Sequence, residues 1–291
     1  SQASTINNPI NRNQIQTFSQ ENLINENSFK LIAKYELSDQ LNNKLGYQRN
    51  ETSITNLEDI IFPDFERIVT EVIATHSLFY EVQFKSNQNN INAKIGLRSN
   101  YFDKFKKFNF EPRLSLNYGF LNNFNLELLG EFKSQVTSQI IDLPSDFLGV
   151  ESKRWILSND NDIPILNSKQ ISFALRYKKD NFIVSAETYA KNIDGVTARS
   201  QGFRNEYQFS NSSGSQKSSG LEVLVHNEFK NIKTWLTYNY NNNSILLNGL
   251  NNNQYFRTNQ DIRHDLSLNA SLEIQKFNFA MSGNWHTGRP F

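Results

Sequence analysis

From Phe108 to Phe120 the chain changes character at every step. Phe108, Phe110, Pro112, Leu114, Leu116, Tyr118 and Phe120 fall on one side; Asn109, Glu111, Arg113, Ser115, Asn117 and Gly119 fall on the other. The same period recurs from Asp265 to Ile274, where Leu266, Leu268, Ala270, Leu272 and Ile274 oppose Asp265, Ser267, Asn269, Ser271 and Glu273. It recurs again from Phe277 to His286. A repeat of two is that of a β-strand with two unlike faces. Helical spacing fits none of these segments. The runs reach about 10–13 residues, well beyond the usual 5–6. A tilted strand needs about 9–11 residues to cross a hydrocarbon core.

The connections alternate as well. Short polar turns stand at Ser38-Asp39-Gln40, Gln88-Asn89-Asn90, Asn122-Asn123, Lys179-Asp180, Lys230-Asn231 and Gln275-Lys276. Between them lie longer stretches, at 51–66, 100–107, 136–167, 194–215 and 243–260. Short turns on one side and long loops on the other are the layout of an outer-membrane barrel. The pattern predicts an all-β fold, a transmembrane antiparallel β-barrel of about twelve strands in six hairpins. The expected spans are 29–37, 41–50, 67–85, 91–99, 108–120, 124–135, 168–178, 182–193, 216–229, 232–242, 261–274 and 277–287. The chain is then one partial barrel domain over 1–291, with 1–28 expected as an outer loop and 288–291 as the start of another.

Composition fits that picture. Only 37% of residues are hydrophobic, yet 13% are aromatic, with 23 Phe and 11 Tyr, and about one residue in seven is Asn. Disordered chains lack aromatics, whereas a barrel strand shows apolar groups to lipid only at alternate positions. Closed pairing then satisfies the backbone. Aromatics near strand ends, such as Tyr35, Tyr47, Tyr118, Phe120, Tyr177 and Tyr238, are expected to form girdles at the two interfaces. Thirty basic against 29 acidic residues leave a net charge of +1, without the basic excess of a nucleic-acid binder. The absence of Cys excludes disulfides, thiolate metal sites and a Cys nucleophile. No apolar run is long enough for a transmembrane helix. The polar start, without an apolar signal segment, fits a chain whose N-terminus has been removed.

Several segments, in order, resemble the C-terminal barrel of TonB-dependent outer-membrane receptors, especially the Bacteroidota form. Gly96-Leu97-Arg98 matches the family's "GLR" strand end and Glu111-Pro112-Arg113 its "EPR" strand. Glu187-Thr188-Tyr189-Ala190-Lys191, Ser219-Gly220-Leu221-Glu222, Trp235–Tyr240, Asp261-Ile262-Arg263-His264 and Thr287-Gly288-Arg289-Pro290 follow, similar to "E.Y.K", "GLE", "SYTYS", "D.RH" and "TGRP" stretches. The resemblance implies a larger barrel of about 22 strands, of which this chain is part. It also implies a plug domain outside the chain and a periplasmic TonB partner acting through that plug. Outer-membrane lipid and a surface lipoprotein are the further partners expected. The implied function is active uptake of a bulky substrate: a siderophore, haem, cobalamin, a peptide or a glycan. Neither a cofactor nor covalent chemistry is expected. Phe291 is not read as a terminal insertion aromatic, because Pro290 interrupts any strand there.

Five residues are lumen candidates. Glu111 and Arg113 are neighbours on the lumen face of one strand, either as contacts to plug or substrate or as an ion pair lining the lumen. Pro112 between them removes a ladder donor, and a bulge is expected there. Asp261, Arg263 and Asp265 share lumen parity, while His264 points the other way. With no serine elbow or paired catalytic carboxylate beside them, they read as a network pinning a loop base. In the outer loops Trp155 and Arg154, and Tyr255 and Phe256, are the substrate-contact candidates, with loop packing as the competing reading for Trp155. Trp235 and Trp285 sit in strands, where interface anchoring is the default. The four His residues are scattered without zinc-ligand spacing. Two other readings compete with the receptor barrel: a closed twelve-strand barrel serving as channel or membrane hydrolase, and a soluble adhesin or lectin-like β protein.

Overall fold

The structure, a computed structural model, describes residues 2–7, 15–61, 64–88, 90–141, 153–159, 161–197 and 212–290. Phe291, at the end of the expected last loop, lies outside them, as do the tips of the loops near 142–152 and 198–211. The fold is one antiparallel sheet that curls through the chain in sequence order. Its strands are β1 (Gln2–Asn7), β2 (Ile15–Ser38), β3 (Leu41–Ile61), β4 (Phe65–Lys85), β5 (Ile91–Phe102), β6 (Lys107–Phe120) and β7 (Phe124–Gln135). After a separate hairpin of β8 (Thr137–Ile141) and β9 (Lys153–Leu157), the sheet resumes with β10 (Leu166–Lys179), β11 (Phe182–Thr197), β12 (Ser213–Phe229) and β13 (Ile232–Leu247). β14 (Phe256–Arg257) adds a short pairing to β13, and β15 (His264–Ile274) and β16 (Phe277–His286) close the order. All twelve expected strands are present. The sheet is open: among the described residues β1 and β16 are its two edges. The closed twelve-strand alternative is therefore not formed.

Sequence alternation becomes face. On the outer side Phe29, Leu31, Tyr35, Leu78, Ile95, Phe110, Ile171, Leu268, Phe279 and Met281 are exposed, with no second layer stacked on them among the described residues. Every residue of β16 is exposed. A soluble sandwich would bury this face; here it is the surface that meets lipid. Tyr118, Phe120, Phe124, Tyr177 and Phe182 form a chain of ring contacts, 4.9 to 6.3 Å apart, across β6, β7, β10 and β11 at the level of the short turns. That is one aromatic girdle. The turns below it are tight, with Leu121, Asn122, Asp180, Lys230 and Gln275 in the left-handed region.

The other ends differ from expectation. Residues 1–28, 51–66 and 100–107 were expected as loops, but Gln2–Asn7 and Ile15 onward are strand, β3 runs to Ile61, and β5 turns into β6 through Asp103–Lys106 alone. β13 likewise continues through the Asn241–Asn243 run to Leu247. The reason is physical. Above the membrane neither face needs to be apolar, so the period-two signal fades while the backbone ladder continues. β2, β3 and β4, at 24, 21 and 21 residues, are about twice the length a membrane crossing needs.

Two glycines fix contacts between neighbouring strands on the inner face. Phe79 lies across its direct partner Gly46, where a Cβ would run into the ring. Tyr189 lies across its partner Gly220, where a Cβ would stand 2.8 Å from the ring, and donates its hydroxyl to Asn241 Oδ1 at 2.6 Å. Trp285 is outward and exposed. Trp235 departs from the anchoring default: it shares the inner face with Asn239 and stacks on His226 at 4.9 Å.

The two faces respond oppositely to the same change. Leu268→Arg, on the lipid face midway along β15, is expected to destabilise the full-length protein carrying this chain by about 2–4 kcal/mol. Asn269→Arg, one residue on, is expected to be near neutral. Urea unfolding in lipid vesicles distinguishes them; equal losses would place residue 268 in a protein interior.

Candidate functional site

The inner wall of β3–β7 carries one connected polar network. Arg98 is its centre: Nη1 donates to Gln48 Oε1 at 3.0 Å, Nη2 to Ser77 Oγ at 2.8 Å and Nε to Asn100 Oδ1 at 2.9 Å. Ser77 Oγ donates to the same Asn100 oxygen at 2.6 Å. Asn100 Nδ2 passes the chain on to Glu111 Oε1 at 2.7 Å. Direct cross-strand register sets this up, since Gln48 faces Ser77, Ser77 faces Asn100 and Arg98 faces Glu111.

Glu111 is 4% exposed and does more than line the wall. Its Oε1 also accepts from the backbone N–H of Ser134 at 2.8 Å and from Ser134 Oγ at 2.6 Å, and its Oε2 pairs with Arg113 at 3.2 Å. The β6–β7 ladder ends at Arg113 opposite Glu131, just after Pro112, while β5–β6 pairing runs past Pro112 without a shift. The expected bulge is thus absent. Instead the Glu111 carboxylate takes over a ladder acceptor's work where the two strands part. Buried charges are tolerable when paired and hydrogen-bonded in this way.

Above the network, the β8–β9 hairpin folds inward onto the wall. Leu157 and Trp155 pack with Ile54 and Ile73, each 1% exposed, beside Phe105 and Val136. Asn22 clamps the Trp155 backbone from both sides: its Oδ1 accepts the N–H at 3.1 Å and its Nδ2 donates to the carbonyl at 3.2 Å. Arg154 pairs with Glu58 at 3.3 Å. Between hairpin and wall lies an open cleft of about 460 Å³ lined by Trp155, Arg98, Glu111, Arg113, Thr52 and Lys133, among others. Three residues singled out in the sequence, Trp155, Glu111 and Arg113, thereby meet in one place. Arg98, Asn100 and Ser134 escaped notice. Arg98 stands in the quoted "GLR" segment, but nothing in a single strand reveals which polar residues its neighbours will place beside it.

A second cluster pins the loop between β13 and β15. Asp261 is fully buried and accepts from the backbone N–H of Asn243 at 2.8 Å; Arg257 Nε at 2.6 Å and Arg263 Nη2 at 2.9 Å complete its shell. β15 begins only at His264, so lumen parity does not reach Asp261 or Arg263. Asp265 stands apart in the ladder, opposite Asn239 and His286, with no ion pair among the described residues. Arg257, four residues before Asp261, is the partner that sequence reading missed. Tyr255 and Phe256 separate to opposite faces. Phe256 packs inward against Val196, Ile245 and Leu247. The Tyr255 hydroxyl meets Ser215 Oγ at 2.6 Å, and the Lys217 ammonium sits 4.3 Å over its ring, on the outer side.

Burial pushes the Asp261 carboxyl up, but the Asn243 N–H and the guanidinium groups of Arg257 and Arg263 outweigh it and hold the carboxyl below its usual range.

This antiparallel wall, with an apolar outer face, a hydrogen-bonded polar inner face and a hairpin folded onto its inner side, has the features of part of an outer-membrane barrel wall. Comparison with known proteins agrees. The profile of the family described as "TonB dependent receptor-like, beta-barrel" matches residues 1–289, and the chain belongs to that family. Among solved structures it is similar to the FrpB iron transporter of Neisseria meningitidis, at 10% identity and a TM-score of 0.60, over 93% of this chain and 42% of that one. The ferric yersiniabactin uptake receptor FyuA of Yersinia pestis gives 10% identity and 0.60, over 92% and 43%. The RagAB peptide importer in its "open-open" state gives 10% and 0.58, over 99% and 43%. The chain thus spans about two fifths of the length of these structures. No curated protein matches it by sequence. As a family member it is part of a β-barrel of the Gram-negative outer membrane.

Two outcomes follow from the clusters. Glu111→Ala leaves the Ser134 N–H and the Asn100 amide without their acceptor and should cost about 3 kcal/mol. Glu111→Gln, which keeps one oxygen, should cost clearly less; urea midpoints measure both. For Asp261, whose folded pKa is depressed, the contribution is complete above the unfolded value of about 3.9. It disappears as pH falls through the lower folded value. Hydrogen-exchange protection factors across 243–263, which remove the intrinsic pH dependence of amide exchange, should stay high at pH 5–7 and fall below about pH 4, and Asp261→Asn should lower them already at pH 7.

Proposed function

We propose that the chain forms part of the wall of a receptor that takes up a bulky substrate actively across the outer membrane, with no covalent chemistry of its own. The observation that carries this reading is the cleft at the mouth, where an aromatic side chain, Trp155, and the cations Arg98, Arg113 and Lys133 face the passage together. An aromatic plane with guanidinium donors suits large, partly polar, partly anionic solutes. Family membership supports a plug that closes the lumen and a TonB partner that acts on it. The likeness to an iron transporter, a ferric yersiniabactin receptor and a peptide importer supports a siderophore or a peptide as cargo, with haem, cobalamin and a glycan as further members of the proposed class. A surface lipoprotein is a further partner in this reading.

In this reading Glu111 is a positioning residue for Arg98 and Arg113, and the β8–β9 hairpin narrows the entrance. Two experiments test the proposal. Deleting the plug-encoding segment of the full-length gene should abolish TonB-dependent uptake; uptake that persists with full TonB dependence contradicts it. Trp155→Ala with Arg113→Gln should weaken uptake of the cognate substrate while the protein still folds in the membrane, and an unchanged apparent affinity would remove the cleft from the path.

A further inference from the structure

The outer face of β7–β14 carries a row of residues that pair directly from strand to strand: Phe132 with Lys169, Lys169 with Asn192, Asn192 with Lys217, Lys217 with Ser244 and Ser244 with Arg257. Directly paired residues point to the same side of a sheet. Ile171, Phe173 and Leu221 lie below on the same side and are exposed, so the row is on the lipid face. Its three cations, Lys169, Lys217 and Arg257, are exposed.

Their height decides what they meet. Lys169 stands ten residues above the end of β10 (169 to 179), and Lys217 twelve above the end of β12 (217 to 229). Ser244, the partner of Arg257, stands twelve above the start of β13 (232 to 244). At ~3.3 Å per residue and a strand tilt of ~40°, those distances are ~25–30 Å above the turns. The apolar band of such a barrel is ~25 Å tall. The row therefore lies where acyl chains give way to headgroups on the side of the long loops, which is the outer leaflet.

The lysines are held there. Lys169 lies over the Phe132 ring at 5.6 Å and Lys217 over the Tyr255 ring at 4.3 Å. Neither is in an ion pair among the described residues. Of the nearest carboxylates, Asp261 is buried between Arg257 and Arg263, while Asp194 accepts from Asn192 Nδ2 at 2.9 Å and leaves one negative charge beside the three cations. At the same height on the other half of the wall the picture is different. Arg49 is closed by Glu51 at 2.6 Å, and Tyr101 and Phe108 stack at 4.8 Å. On that half the exposed lysines, Lys104, Lys106 and Lys107, sit at the β5–β6 turn and not in a row across paired strands.

We infer that this row is a docking site for a phosphate-bearing headgroup of an outer-leaflet glycolipid, held by Lys169 and Lys217 with Arg257 at its edge. Two strand steps, ~9.6 Å, separate the lysines. Their flexible stems can converge on one phosphate or grip two on a single large headgroup. The acyl chains of the same molecule would cover Ile171, Phe173 and Leu221 below. The inference depends on the membrane setting and is independent of which cargo the receptor carries.

The test uses the full-length protein in detergent micelles, with native mass spectrometry as readout and diphosphorylated lipid A as probe. The unaltered protein should retain the lipid, and the variant K169Q/K217Q should retain it about 30-fold more weakly, the loss expected for two headgroup-level cations. K169R/K217R should retain it as the unaltered protein does, which separates lost charge from lost folding. The same lipid with its phosphates removed should not be held by the unaltered protein, a measurement that needs no variant. Equal retention by the unaltered protein and the Gln variant, or equal retention of the phosphate-free lipid, would overturn the inference. So would displacement of the lipid by an equal concentration of inorganic pyrophosphate, which would mark a site for soluble anions instead.

Discussion

A peptide group in hydrocarbon must find its hydrogen bond within the protein, and every feature of this chain answers to that requirement. Strands can meet it only through neighbours, so the sheet runs from β1 to β16 with each strand paired to the next, and where β6 and β7 part above Arg113 a side chain takes over. Interior packing contributes little by comparison. Among the described residues the buried apolar side chains are few, and six of them form two small clusters, Ile54, Ile73 and Leu157 in one and Val196, Ile245 and Leu247 in the other. A domain with so small a core would be marginal in water. In lipid the backbone ladder carries the fold, and breaking it is what costs.

Glu111 illustrates how strictly the requirement holds. Pro112 lacks a donor, and β6 and β7 separate beyond Arg113. At that gap the Ser134 N–H would be left open, and the Glu111 carboxylate accepts it. The same carboxylate anchors Asn100 and, through it, Arg98. A repair of the backbone and the positioning of the cationic cleft are thus one device. This is why Glu111 can sit nearly fully buried in a wall whose other charged residues, such as Arg113, Lys133 and Glu131, are more open to the passage side.

Within the lipid-crossing band the fold was legible in the sequence almost residue by residue, because lipid on one face and water on the other impose a period of two. Phe108–Phe120 and Asp265–Ile274 emerge with the faces their alternation assigns. Above the band that asymmetry ends. Asn50–Asn56 and Asn241–Asn243 look like loop by composition and are strand, since the ladder asks nothing of side chains that water can solvate. The candidate site was legible only as separate pieces. Glu111 and Arg113 share a strand and were seen together; Arg98, Ser77 and Gln48 join them by register between strands, which no local pattern encodes. Tyr255 and Phe256, adjacent in sequence, part to opposite sides of the wall, Phe256 into the Ile245–Leu247 cluster as the first residue of β14 and Tyr255, just before it, against Ser215 and Lys217.

The length of the strands changes what kind of entrance this is. β2, β3 and β4 carry roughly half of their residues beyond the membrane, and the wall rather than free loops frames the mouth there. The inward hairpin is fastened to that wall at Asn22, Glu58, Ile54 and Ile73. Trp155 is accordingly presented by a scaffold whose backbone is hydrogen-bonded on both sides, with little freedom to reorganise when a solute arrives. Rigid presentation lowers the ordering cost of binding. Strand register fixes Arg98 and Arg113 relative to each other, whereas the spacing from Trp155 to them is set by side-chain contacts of the hairpin: the Asn22 clamp, the Arg154–Glu58 pair and the packing on Ile54 and Ile73. A solute that bridges that spacing is accommodated without rearrangement, and one that does not must move a hairpin seated on two fully buried isoleucines.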